Sequence, residues 1–332
     1  PGCYILGIAL DPVSSTGRQN PNNFSKYHSR FFTTRSLNTT PKHKNIMSKE
    51  VRELNFEEYT IDEKPYYLPI ADEINIFKAA FHSKIPVILK GPTGTGKTRF
   101  VEYMSYIISQ EMQSANPGDA AKLPLITIAC HEDLTTTDLV GKFLLKGDET
   151  VWVDGPLTRA VKTGAICYLD EIVEARKDTT VIIHPLSDHR RLLPIDKKGT
   201  IAEAHPNFFL VISYNPGYQS VIKDLKQSTK QRFIALDFDY PSREQEAKII
   251  EHESEITAEI AYELAKLGEK IRHLKGHVMA EGASTRLLIY AGRMITQGIS
   301  AKRACEVAIT TLLSDEKEVQ SAIGEVISSI FP

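Results

Sequence analysis

Beyond Ile85 the chain alternates short apolar runs with stretches of helical period. The runs at 87–89, 125–129, 165–169, 208–214 and 233–238 have the length and the β-branched and aromatic content of buried strands. Strands separated by amphipathic helices pack as a parallel sheet covered on both faces, so the pattern predicts an α/β fold around five parallel strands. After Tyr240-Pro241 the strand signal stops. Segments 243–252, 256–271, 284–295 and 301–313 repeat apolar residues at helical spacing, which predicts a small all-α domain behind the sheet. We place the α/β domain at 47–241 and the helical domain at 242–332. Residues 1–46 carry neither period, are rich in Ser, Thr, Asn and Pro, and are expected to be a disordered or non-native leader. Met47-Ser48-Lys49-Glu50 reads as an ordinary protein start.

The first apolar run leads directly into Gly91-Pro92-Thr93-Gly94-Thr95-Gly96-Lys97-Thr98, a full match to G-x-x-x-x-G-K-[ST], and a helical stretch opens at Arg99. Strand, glycine loop and helix in that order make a phosphate cradle. Glycines let backbone amides turn inward, and the helix presents its positive end to the same anion. Residues 91–99 are therefore the candidate binding site for ATP. Lys97 is expected to reach the β and γ phosphates, and Thr98 to place its hydroxyl on Mg²⁺.

A second buried run, 165–169, ends in Asp170-Glu171. Beside a phosphate loop, Asp170 can hold the magnesium through water, and Glu171 can take a proton from the water that attacks the γ phosphate. The run 208–214 delivers Asn215 at its carboxyl end, where ligands of such sheets sit; its amide either positions that water or belongs to an Asn-Pro-Gly turn. Arg232, just before the fifth strand, is a candidate finger toward a neighbouring subunit's nucleotide, with a surface ion pair as the alternative. Gly282-Ala283-Ser284-Thr285-Arg286 starts a helix with Ser284 as its cap. A cation at that end is unfavourable for the helix dipole, so an anion is expected beside Arg286, either the γ phosphate or a carboxylate.

Charge narrows the partners. Lys and Arg number 40 against 42 Asp and Glu, but residues 1–46 hold six of the basic residues and one acid, leaving 34 basic against 41 acidic in the remainder. That balance disfavours nucleic acid, whose binding relies on Lys and Arg to neutralise phosphates. Four cysteines without CxxC spacing fit a reduced, cytoplasmic setting. No apolar stretch approaches the roughly 20 residues that span a bilayer. Cys130-His131 lacks further ligands at metal spacing and reads as a strand end. Phe143-Leu144-Leu145 reads either as a grip on a partner or as packing, and Tyr66-Tyr67 either as a wall for the adenine or as core.

The phosphate loop, Asp170-Glu171, Asn215, Arg232 and Arg286 resemble, in the same order, the Walker A, Walker B, sensor 1, arginine finger and sensor 2 of AAA+ proteins. Thr137-Asp138-Leu139-Val140-Gly141 with Asp154-Gly155-Pro156-Leu157 resembles the second-helix insert of the MoxR branch, and 191–205 would then be the hairpin before sensor 1. Ala129-Cys130-His131-Glu132-Asp133, Tyr168 to Arg176, Ser213 to Gln219 and Lys223 to Thr229 narrow the likeness to the CbbQ, NorQ and NirQ group. It spans about residues 60–313. The resemblance implies a homo-hexameric ring that hydrolyses ATP with Mg²⁺ and remodels another enzyme. Its nearest branch implies Rubisco as the client, freed of inhibitory sugar phosphates with a CbbO-type von Willebrand-domain adaptor. The NorQ and NirQ branch implies nitric oxide reductase instead. A P-loop kinase, a DNA-acting AAA+ protein and a binding module that does not turn ATP over are the other classes these motifs leave open.

Overall fold

The structure, a computed structural model, describes residues 58–115, 122–216, 227–274 and 282–332. The leader at 1–46 and the parts of the family motifs at 217–226 lie outside the described residues. The elements of the first part are β1 (Glu58–Tyr59), α1 (Glu73–Ser83), β2 (Val87–Lys90), α2 (Lys97–Ala115), β3 (Leu125–Ala129), α3 (Thr136–Val140), β4 (Gly141–Lys146), β5 (Glu149–Asp154) and α4 (Pro156–Thr163). They continue with β6 (Ile166–Asp170), α5 (Lys177–Val181), β7 (Leu192–Ile195), β8 (Thr200–Glu203), β9 (Phe209–Tyr214), α6 (Gln227–Lys230) and β10 (Ile234–Asp237).

The main sheet has the order β1-β3-β6-β9-β2-β10. Its last five strands are parallel, as the alternating pattern predicts, and each matches an apolar run to within a residue or two. The sixth, β1, pairs antiparallel to β3 at the edge, and two residues are too few to leave a period in the sequence. Because successive strand residues face opposite sides, the sheet sorts its apolar residues into two cores. Val87, Leu89, Leu125, Ile166, Tyr168, Phe209 and Val211 face α1 and α2, whereas Ile88, Ile126, Cys167, Leu169, Leu210 and Ile212 lie in the core shared with α3 and α4. On α2 the buried Phe100, Val101, Met104 and Ile108 follow the helical spacing that closes one of those faces.

Two antiparallel hairpins interrupt the pattern. β4 pairs with β5 between α3 and α4, where the inserted segment was expected, and β7 with β8 falls within 191–205. In the first, Leu145 is 75% exposed and Phe143 stacks edge-on against Trp152.

From Ser242 onward the described residues are helical: α7 (Arg243–Ser254), α8 (Ala258–His273), α9 (Thr285–Thr296), α10 (Ala301–Cys305), a π-helical stretch Glu306–Thr310, α11 (Thr311–Leu313) and α12 (Lys317–Ile330). A capping box of Ser242 and Gln245 starts α7. Leu264, Ile271, Leu288, Ile309, Ile323 and Ile327 form their separate core. No helix among the described residues is long and apolar enough to cross a membrane.

Candidate active site

The loop between β2 and α2 is shaped by close approaches that only glycine permits. A Cβ at Gly91, where φ is +152°, would lie 2.1 Å from the carbonyl oxygen of Phe238, and one at Gly94, φ +76°, would lie 2.6 Å from Cβ of Ser284. The first contact seats the loop on the end of β10; the second presses it against the start of α9. Lys97 is buried, and its Nζ donates to the carbonyls of Gly91 and Pro92 at 2.8 Å each, so the ammonium is held over the loop. Thr95 Oγ1 donates to the Pro92 carbonyl at 3.0 Å.

Register brings the two acids to this loop. β6 and β9 pair Leu169 with Ile212, which puts Asp170 beside Ser213. The Ser213 hydroxyl donates to Asp170 Oδ1 and accepts from the Glu171 backbone N–H at 3.0 Å, so one side chain fixes both acids. Tyr168 Oη adds a second donor to Asp170 at 2.6 Å. Glu171 stands in the left-handed region at φ +54°, a conformation that a non-glycine residue keeps only where its surroundings hold it. Partial burial, and then the charge of Asp170, raise the Glu171 carboxyl above the ordinary glutamate range, against the pull of Lys97 and Arg286. A carboxylate so raised is better matched to taking a proton near neutral pH.

A cleft of about 450 Å³ opens over these groups, lined by the loop residues Thr93 to Arg99, Asp170, Glu171 and, from the helical part, Arg286. Asn215 is 5% exposed, and its Nδ2 reaches Thr93 Oγ1 at 3.4 Å. At the far end Tyr66 lines the cleft and stacks on His252, centroids 3.6 Å apart and planes 6° off parallel. Tyr67 packs against Phe100 and Tyr103 while its hydroxyl donates to Glu73 Oε1 at 2.8 Å. Arg99, Glu253 and Arg293 form an ion-pair chain from α2 across to α7 and α9.

The structure gathers Lys97, Thr98, Asp170, Glu171, Asn215 and Arg286 at one place but puts Arg232 elsewhere. Its Nη1 donates to the His184 carbonyl at 2.9 Å and to Asp188 Oδ2 at 3.0 Å, and Asp188 also binds Arg190. Those guanidinium contacts, the hydrogen bond from Arg190 first, hold the Asp188 carboxyl well below the usual carboxylate range. Ser284 occupies the cap position of α9 without a side-chain cap bond; it is the Thr285 hydroxyl that is engaged, donating to Glu246 Oε1 at 2.6 Å.

The donor set fits a hard cation. Thr98 and Asp170 line the same cleft, and the Tyr168 phenol donates to Asp170, so a hydroxyl and a carboxylate face one space at the helix start. Burial pushes the Cys130 thiol up to about 12, which keeps it protonated.

Ser213 and Tyr168 escape sequence reasoning because each lies inside an apolar strand and gains its role only when the strands pair. Over residues 86–233 the chain matches the AAA domain of the dynein-related subfamily, and over 246–330 the CbbQ/NirQ/NorQ C-terminal family. It is 54% identical over 274 residues to Protein CbbQ of Hydrogenophilus thermoluteolus, covering 82% of this chain and 98% of that one. Protein NorQ of Paracoccus denitrificans is 50% identical over 267 residues, with 80% and 94% covered. The denitrification regulatory protein NirQ of Pseudomonas aeruginosa is 48% identical over 266, with 80% and 97% covered.

Proposed function

Because the chain belongs to the CbbQ/NirQ/NorQ family of AAA+ ATPases, we propose that the cleft beneath α9 hydrolyses Mg²⁺-ATP to remodel a client enzyme. The loop amides of residues 91–99 and the Lys97 ammonium hold the β and γ phosphates. Thr98, and Asp170 through water, would hold a magnesium ion, which would offset phosphate charge. Glu171 takes a proton from the attacking water as its oxygen bonds to the γ phosphorus and the bond to the β-phosphate oxygen breaks. Asn215 orients that water, Arg286 meets the γ phosphate, and Arg232 reaches the nucleotide of the next subunit in a hexameric ring. The observation that carries this reading is the single Ser213 hydroxyl that locks Asp170 and Glu171 together beside Lys97. In this account residues 47–241 are the nucleotide-binding domain and 242–332 its lid, working in a cytoplasmic setting.

The client is Rubisco, reached through a von Willebrand-domain adaptor of the CbbO type; the 54% identity to Protein CbbQ supports this. A second reading, activation of nitric oxide reductase, is supported by identities of 50% and 48% to NorQ and NirQ. Purified with such an adaptor and ATP, the chain is expected to restore carboxylation by inhibited Rubisco. Recovery of nitric oxide reductase activity, with none for Rubisco, would replace the first reading by the second.

A further inference from the structure

Glu246 is a carboxylate 1% exposed, at the heart of the helical part. A charge there is costly unless fully partnered, and an apolar trio of the same volume would often serve stability as well. Its partners are specific. Arg272 donates to both carboxylate oxygens, Nη1 to Oε2 at 2.8 Å and Nη2 to Oε1, and the Thr285 hydroxyl donates to Oε1 at 2.6 Å. Arg272 Nε also donates to the Ala283 carbonyl at 2.8 Å, and the guanidinium lies 3.9 Å from the centroid of the Tyr240 ring. Tyr240 completes the path, for its hydroxyl donates to the carbonyl of Thr93 at 3.4 Å.

The cluster therefore fastens α7, α8, the segment before α7 and the first residue of α9 to one another, with Tyr240 touching the phosphate loop. Arg286 follows Thr285 directly, and a Cβ at Gly94 would meet both Ser284 and, at 3.7 Å, Cβ of Arg286. Two ends of one rigid clamp thus rest on the loop, at Thr93 and at Gly94. We infer that Glu246, Arg272, Thr285 and Tyr240 form a positioning clamp that sets Arg286 against the phosphate loop. The inference rests on the proposed role of Arg286 toward the γ phosphate. None of the four clamp residues needs to touch the reacting atoms.

The test uses the full chain, comparing Thr285→Val, Thr285→Ser and Arg286→Ala for ATP turnover, ADP affinity by calorimetry and melting temperature. Misplacing a group by an ångström costs on the order of 100-fold in rate. We expect Thr285→Val to lose roughly 10- to 100-fold in kcat with ADP affinity near that of the parent and a melting temperature lowered by only a few degrees, as loss of one hydrogen bond to a buried carboxylate requires, and Thr285→Ser to restore both turnover and stability. A kcat within about twofold of the parent for Thr285→Val, while Arg286→Ala is impaired, overturns the clamp alone. Unimpaired Arg286→Ala overturns both the clamp and the role of Arg286 on which it depends. Where Thr285→Val does not fold, Tyr240→Phe removes the bond to Thr93 with the ring intact; we expect roughly fivefold slower turnover, and no change overturns the clamp.

Discussion

The two arginines proposed to act on nucleotide, Arg286 and Arg232, occupy opposite kinds of surroundings. Arg286 looks into the cleft from a helix whose start is pressed on the phosphate loop, and its charge acts on Glu171 within the same chain. Arg232 stands outside that cleft, its side chain a third exposed and tied to Asp188 and the His184 carbonyl. One arginine is therefore set beside the phosphate loop by the fold of its own chain, whereas the other is held by Asp188 outside the cleft, and the proposed role of Arg232 requires a second subunit. Both are cations near carboxylates, but Arg286 lines the cleft, whereas Arg232 makes the surface ion pair with Asp188 that was the alternative reading of its sequence position.

The largest effect is expected of Arg232→Ala, which should lower ATP turnover by roughly 10³-fold while leaving nucleotide binding by the same chain intact. Mixed with Lys97→Ala subunits, it should regain part of the activity, because some interfaces then pair an intact lysine site with an intact arginine. Failure of every mixture would place Arg232 in a role confined to its own chain. Arg286→Ala should cost about 10²-fold in kcat, the scale of losing one preorganised donor, and mixing should not rescue it. Rescue in mixtures would reverse the distinction. Smaller still is Asp188→Asn, which keeps an acceptor for Arg232 but removes its charge, with the His184 carbonyl remaining. Turnover roughly fivefold lower is expected; parent-like turnover would show that Asp188 does not orient the finger.

The parts of this molecule that were legible in the sequence are those whose chemistry is local. Gly91 to Thr98 declares itself by spacing, and Asp170-Glu171 by two acids ending an apolar strand. The parallel strands were legible because burial on both faces leaves continuous apolar runs. What stayed hidden depends on chain segments meeting. Glu246 and Arg272 lie 26 residues apart and look like ordinary charges on amphipathic helices; only the packing of α7 on α8 reveals them as a buried pair. Asp188 and Arg232, 44 apart, are hidden likewise. Ser213 reads as one polar residue in a strand until register sets it beside Asp170. Ser284 had the residue type of a helix cap, but the tight approach to Gly94 and the pull of Glu246 on Thr285 settle that terminus differently.

Calorimetric titration of Mg²⁺-ATP into the parent, Glu171→Gln and Lys97→Ala chains decides whether glycine-loop amides and Lys97 seize a triphosphate where Glu171 readies water. Saturable binding to the parent and to Glu171→Gln is expected, the latter without turnover, and a collapse of affinity in Lys97→Ala. A parent chain that takes up no ATP, or a Lys97→Ala chain that binds as tightly as the parent, would contradict that mode of binding.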